Sequence, residues 1–157
     1  MKYLKFIKIP FFLFILCLFS NCGYQPLYNK EAQSFSISNF NLEGNKRLGG
    51  LLKNNLITIK KDQNQLILNI NSKKKTNVAD KSLTGKVLTN ALTLEFEISA
   101  SDTSNNLIFS KVYTKTKNYT SADIHTDTLN NEKKLTESLI ESIANELQTD
   151  LNSIYRK

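Results

Sequence analysis

Lysine dominates the chemistry this chain could support. Lys73, Lys74 and Lys75 stand together, with Lys81 and Lys86 close behind, and Lys111, Lys115 and Lys117 interleave with Tyr113 and Tyr119 at a spacing of two. Residues two apart share a face of a strand, so the second group would make one basic and aromatic stripe. Ammonium groups suit phosphate-bearing anions. A plainer role is pairing. Lys111 and Lys115 could meet Glu95 and Glu97 across a hairpin, at about 0.2–1 kcal/mol per pair, with the 73–86 lysines simply solvated. The single histidine, His125, lies between Asp123 and Asp127. Alternation would put the three on one side, but two carboxylates and one imidazole are a thin metal set. A polar loop leading into a helix, with Asp127 or Thr128 at its start, accounts for the same residues. There is no phosphate-cradling glycine pattern, and no serine has a base partner in sequence. The residues give no argument for an enzyme or a metal.

The elements around these residues start with an apolar N-terminus. Residues 1–8 carry Lys2, Lys5 and Lys8 and no acid, and residues 9–19 read IPFFLFILCLF. That run is shorter than the roughly 20 apolar residues a bilayer span needs. A basic start, a short apolar middle and a small-polar end predict a secretory signal peptide over residues 1–21. The chain has two cysteines, Cys17 inside the apolar block and Cys22 at its end. Removing the signal removes Cys17 and leaves no disulfide to form.

The stretch Leu18-Phe19-Ser20-Asn21-Cys22 resembles a bacterial lipoprotein signal. That resemblance implies a thioether-linked diacylglycerol and an N-acyl chain on Cys22, with no other cofactor. Each buried CH₂ contributes about 0.8 kcal/mol, so several chains make a durable anchor. Asn21 departs from the Gly, Ala or Ser usual before such a cysteine. Gly23, rather than Asp, fits sorting to the outer membrane.

The remainder is long enough for one domain with its own core. The formal charge of +7 includes the three signal lysines, so the exported part is mildly basic. Export makes nucleic acid an unsuitable partner, and a weak attraction to anionic headgroups fits the charge. Residues 22–33 read as an extended tether and 34–157 as a single domain. Residues 34–42 predict a strand whose apolar alternation shifts face between Ile37 and Phe40, as a bulge would cause. Leu48, Leu51, Leu52 and Leu56 make a helical stripe over 45–57. Leu66, Leu68 and Ile70 alternate over 65–72.

Residues 73–86 read as a polar, basic connection. From 87 to 100 one face carries Leu88, Leu92, Leu94, Phe96, Ile98 and Ala100, followed by turn residues at 101–106 and a returning strand over 107–119. The long arms of that hairpin exceed the usual 5–6 residues. A stripe from Leu135 through Leu139, Ile140, Ile143, Leu147 and Leu151 to Ile154 predicts a final helix over about 130–155, its acids mostly on other faces. The expected class is α+β: a four-stranded, mostly antiparallel sheet with two helices on one face, in the order β-α-β-β-β-α.

The whole pattern is similar to a known family. CGYQPLY after the signal, the hairpin ALTLEFEISA…LIFSKVYTKTKNY and the terminal LNNEKKLTESLIESIANELQTDL together resemble the LPS-assembly lipoproteins of the LptE family. The resemblance covers nearly all of the exported chain and rests on the combination of motifs. It implies a non-enzymatic outer-membrane lipoprotein that sits in the lumen of the LptD β-barrel, supports its assembly and helps deliver lipopolysaccharide to the outer leaflet. Lipopolysaccharide contact would then fall to Lys73, Lys74, Lys75, Lys81, Lys86, Lys111 and Lys115. Two other readings remain: an accessory scaffold lipoprotein of a periplasmic transporter or barrel-assembly machine, and a lipid-anchored hydrolase.

Overall fold

The computed structural model describes residues 35–57 and 64–155. The signal segment, Cys22 and the 22–33 tether lie outside the described residues. Six elements follow in the expected order: β1 (Ser36–Gly44), α1 (Lys46–Asn55), β2 (Gln65–Lys81), β3 (Val87–Asp102), β4 (Leu107–Thr120) and α2 (His125–Tyr155). The fold is α+β, with one four-stranded sheet in the order β1-β2-β3-β4. β1 runs parallel to β2, and the other two pairings are antiparallel. A parallel neighbour needs a crossover, and α1 supplies it.

β1 begins in register with β2 at Ser36–Gln65 and shifts between Ile37 and Asn39. This is the bulge read from the misplaced alternation. The strand ends at Gly44, whose φ of +66° turns the chain away from β2. Asn45 then caps α1 by accepting a bond from the Leu48 N–H at 3.3 Å, which satisfies an otherwise orphaned donor. α1 lays Leu48 and Leu52 on the sheet. Its Gly49 lies close to Leu42 of β1, so the residue that weakens the helix also lets it approach the strand. Lys53 stands over the Phe40 ring at 5.1 Å.

The core lies between the sheet and both helices. Leu66, Leu68 and Ile70 of β2 and Leu92, Leu94, Phe96 and Ile98 of β3 point into it, as do Ile140, Ile143 and Leu147 of α2. Burial of each such side chain contributes about 1.5–3 kcal/mol. Phe35 packs near Tyr155, ring centroids 6.1 Å apart. Entry into the domain and the last turn of α2 therefore share one end, the lower end.

Two expectations need correction. Residues 73–81 are not a connection. They continue β2, which pairs with β3 from Leu66–Asp102 to Lys81–Val87. Apolar alternation is absent there because both faces of this half of the strand meet solvent, so the pattern that reveals half-buried strands cannot appear. Only 82–86 turn the chain, with Gly85 at φ +83°. The last helix also starts earlier, at His125, in a polar first turn that buries nothing. Thr128 ties that start down, its hydroxyl accepting from the Ala122 N–H at 2.9 Å.

Candidate functional site

The open face of the sheet, away from the helices, is mostly polar, with Val112 of β4 as an exposed apolar exception. Asn41 donates to Asn69 at 2.7 Å, and Asn69 donates to Ser99 at 3.3 Å. Asn71 donates to Glu97 at 2.9 Å. Lys73 bridges Glu97 and Glu95 at 2.7 and 3.1 Å. The Thr93 and Thr116 hydroxyls meet at 2.9 Å. Register explains the rows, since Asn69, Ser99 and Ser110 are opposite one another, as are Lys75, Thr93 and Thr116. The two glutamates share one cation, Lys73, which balances one of their two charges. Bonds from Lys73 and Asn71 hold Glu97 below the ordinary carboxylate range, and Glu97 and Glu95 raise Lys73 in turn.

The stripe on β4 has a different role. Lys111, Tyr113, Lys115 and Tyr119 face the helices. Glu95 and Glu97 are opposite Thr114 and Val112 and point to the open face, so the predicted cross-hairpin pairs of Lys111 and Lys115 do not form. These lysines bond instead to α2. Lys111 reaches Asp150 at 2.7 Å, and Lys115 reaches Glu146 at 2.7 Å. The buried Tyr113 hydroxyl donates to the same Asp150 oxygen at 2.7 Å, with Lys111 over its ring at 4.8 Å.

A second seat of the same type lies higher on the seam. There Tyr119 donates to Glu132 at 3.0 Å and Lys74 meets Glu132 at 2.5 Å. Glu132 and Glu146 are separated by close to four helical turns, so they lie on one side of α2. The apolar stripe of α2 places its acids mostly on the other faces. The signal for the seat of Glu132 is Tyr119, an inward residue with a hydroxyl to satisfy.

These contacts set a pH window. At Glu132 the bond from Lys74 outweighs burial, and at Glu146 the bond from Lys115 does the same, so both carboxyls lie below their usual range. Burial raises Asp150, yet the bonds from Lys111 and Tyr113 together bring it below that range. Depressed carboxyls stabilise the fold above their unfolded pKa, about 4, and that stability is lost as pH falls through the lower folded values. Burial, with Asp150 behind it, raises Tyr113. Burial and then Glu132 push Tyr119 up to about 12. The tyrosine contribution is complete below about pH 10 and disappears as pH rises toward 12. Urea midpoints are therefore expected to be flat from about pH 6 to 9 and to fall on both sides. Glu132→Gln with Glu146→Gln should flatten the acid limb. An unchanged acid limb in that variant would remove these residues from the account.

The other candidates are dispersed. Lys73, Lys74 and Lys75 belong to β2, Lys81 ends it, and Lys86 in the turn bonds to Asp123. Lys75 and Lys81 have no carboxylate partner among the described residues. Asp123 is engaged by Lys86 and His125 opens α2, so the Asp–His–Asp trio does not converge. Among the described residues no group of three His, Cys, Asp or Glu could hold a metal. The turn also carries Leu83, fully exposed.

No family model matches the chain, and no curated protein matches its sequence. Solved structures share the fold. Rare lipoprotein B from Shewanella oneidensis superposes with a TM-score of 0.55 at 13% identity, over 73% of this chain and 94% of that one. A lipoprotein B from Nitrosomonas europaea gives 0.62 at 12%, over 85% and 92%. A minor lipoprotein from Acinetobacter baumannii gives 0.54 at 18%, over 76% and 93%. The architecture is therefore one used by bacterial lipoproteins.

Proposed function

We propose that this chain is an outer-membrane lipoprotein of the LptE kind, acylated at Cys22, which seats in the lumen of an LptD β-barrel and assists lipopolysaccharide delivery without catalysis. The observation that carries this reading is the open sheet face. It presents rows of Asn, Ser and Thr, with Lys73 paired to Glu95 and Glu97 and Lys75 left open to solvent. Such a face matches the polar, hydrated interior of a large barrel. A lipid carrier would need an enclosed apolar pocket instead. The lipoprotein neighbours and the signal-like segment before Cys22 support the anchor. Of the seven candidate lysines, Lys75 and Lys81 are the ones left for glycolipid phosphates, because the other five serve ion pairs.

The test is purification of the full chain from detergent-solubilised outer membranes, with mass spectrometry of co-eluting proteins and of the N-terminal peptide. A stoichiometric LptD-type barrel with acylated Cys22 is the expected result. Recovery with an inner-membrane transporter, with other assembly lipoproteins or alone would overturn the barrel assignment and leave an accessory scaffold as the better account. Lys75→Ala with Lys81→Ala should weaken lipopolysaccharide binding while leaving barrel recovery unchanged.

A further inference from the structure

β1 and α1 both stop short on the same side of the molecule. β1 leaves β2 at the Gly44–Ser72 pair, yet β2 runs on to Lys81 with β3 still paired to its other side. Nine residues of β2, 73–81, therefore present one edge of backbone donors and acceptors that no described strand covers. That edge is about 30 Å long and is regular from Lys73 to Val78, beyond which the pairing with β3 shifts register twice before Lys81. Beside it, on the helix side, α1 has just begun while α2 continues upward. Between them lies a cleft of about 650 Å³ floored by Leu48, Leu51 and Leu129, with Leu129 half exposed. Lys74 stands at the base of this cleft on β2 and is held by Glu132. Arg47 and Lys133 also line it, and neither has a carboxylate partner among the described residues.

We propose that the 73–81 edge accepts an extended acidic segment of a partner protein by strand addition. The added strand continues the line of β1. Its backbone pairs with β2, and alternate side chains drop into the cleft over Leu48 and Leu129. Main-chain bonds give such a mode its affinity, and the pockets for alternate side chains give specificity. The charge of the occupant follows from a balance. Arg47, Lys74 and Lys133 outnumber Glu132 and Glu137 in the lining, and Lys75 and Lys81 on the strand itself add to the excess, so a like-charged basic partner would be met unfavourably. The sheet also has the outer edges of β1 and β4. The β1 edge lies away from the α1–α2 cleft lined by Lys74 of β2, and β4 is less suited. Its lysines 111 and 115 are tied to α2, so the side chains flanking that edge are already engaged. The glycolipid reading uses Lys75 and Lys81 of this same segment, and the two readings are separated by the probe that protects it, peptide or lipid vesicle.

Full-length protein in detergent micelles is titrated with a nine-residue peptide alternating Glu with Val and Thr, followed by amide hydrogen exchange. Amides within 73–81 should slow at least tenfold, with 107–120 unchanged, while Arg47→Glu with Lys133→Glu raises the peptide Kd by about tenfold or more, equivalent to about 1.4 kcal/mol. Unchanged thermal midpoints establish that this variant remains folded. The same peptide N-methylated at alternate residues should not bind. Equal binding of the N-methylated peptide, or protection elsewhere, would overturn strand addition. So would protection of 73–81 by phosphatidylglycerol vesicles with none from the peptide, which would make the edge a lipid contact.

Discussion

Gly44→Ala lowers the stability of the domain by about 3 kcal/mol, as the sum of a left-handed backbone penalty and a steric one. Gly44 has φ +66°, and a Cβ there would sit 2.4 Å from the Ser72 carbonyl oxygen and 2.6 Å from the Asn71 side-chain oxygen. The asparagine can move. The carbonyl cannot, because it accepts the Asn45 N–H at 2.8 Å in the bond that starts the turn into α1. The end of β1 must therefore shift, and α1 with it.

Two other glycines serve as internal standards. Gly85 has φ +83° with open space around it, so Gly85→Ala should cost only the conformational penalty, about 1 kcal/mol. Gly50 lies in α1 with nothing near its missing Cβ, so Gly50→Ala should stabilise by about 1 kcal/mol. Urea unfolding followed by far-ultraviolet circular dichroism reads all three. If Gly44→Ala and Gly85→Ala cost the same, the close approach to Ser72 contributes nothing.

Asp150→Ala should cost about 2–3 kcal/mol, most of it from Tyr113, because a buried hydroxyl left without its acceptor is expensive. Tyr113 is 2% exposed, whereas Lys111 can turn to water. Tyr113→Phe removes donor and demand together and should cost about 1 kcal/mol. In the Tyr113→Phe background, Asp150→Ala should then become mild. A double-mutant cycle with a coupling of about 1 kcal/mol or more is expected. Additive costs would mean that Asp150 acts through the helix alone.

These contacts also mark what could and could not be read from sequence. β3 was legible because every second residue from Leu92 to Ala100 is buried. The stripe of α2 was legible for the same reason, and Phe40 revealed the bulge in β1. The upper half of β2 was not, since a ribbon wet on both faces leaves no periodic signature. The lysine partners were not legible either. Whether Lys111 meets Glu97 or Asp150 depends on which face of the hairpin each occupies and on where a distant helix lies. The residues of the candidate lysine cluster could be named from sequence, but their availability could not. The uncovered edge beside the α1–α2 cleft comes from two elements ending at the same level, which pattern within a single segment does not report.

The parallel pairing of β1 has a mechanical meaning. β1 starts at the lower end, where the chain enters beside Tyr155, and β2 carries on to the turn at the opposite end. A pull between the segment preceding Phe35 and a partner holding that turn runs along the strands. It loads β1 against β2 in shear, so the eight register pairs from Ser36–Gln65 to Gly44–Ser72 resist together and do not unzip one at a time. An antiparallel β1 entering from the turn end would peel from its first bond. Under sustained tension the lifetime of the domain is a matter of its unfolding rate, and this topology places its best-shared resistance between the chain's entry point and the far end of the sheet.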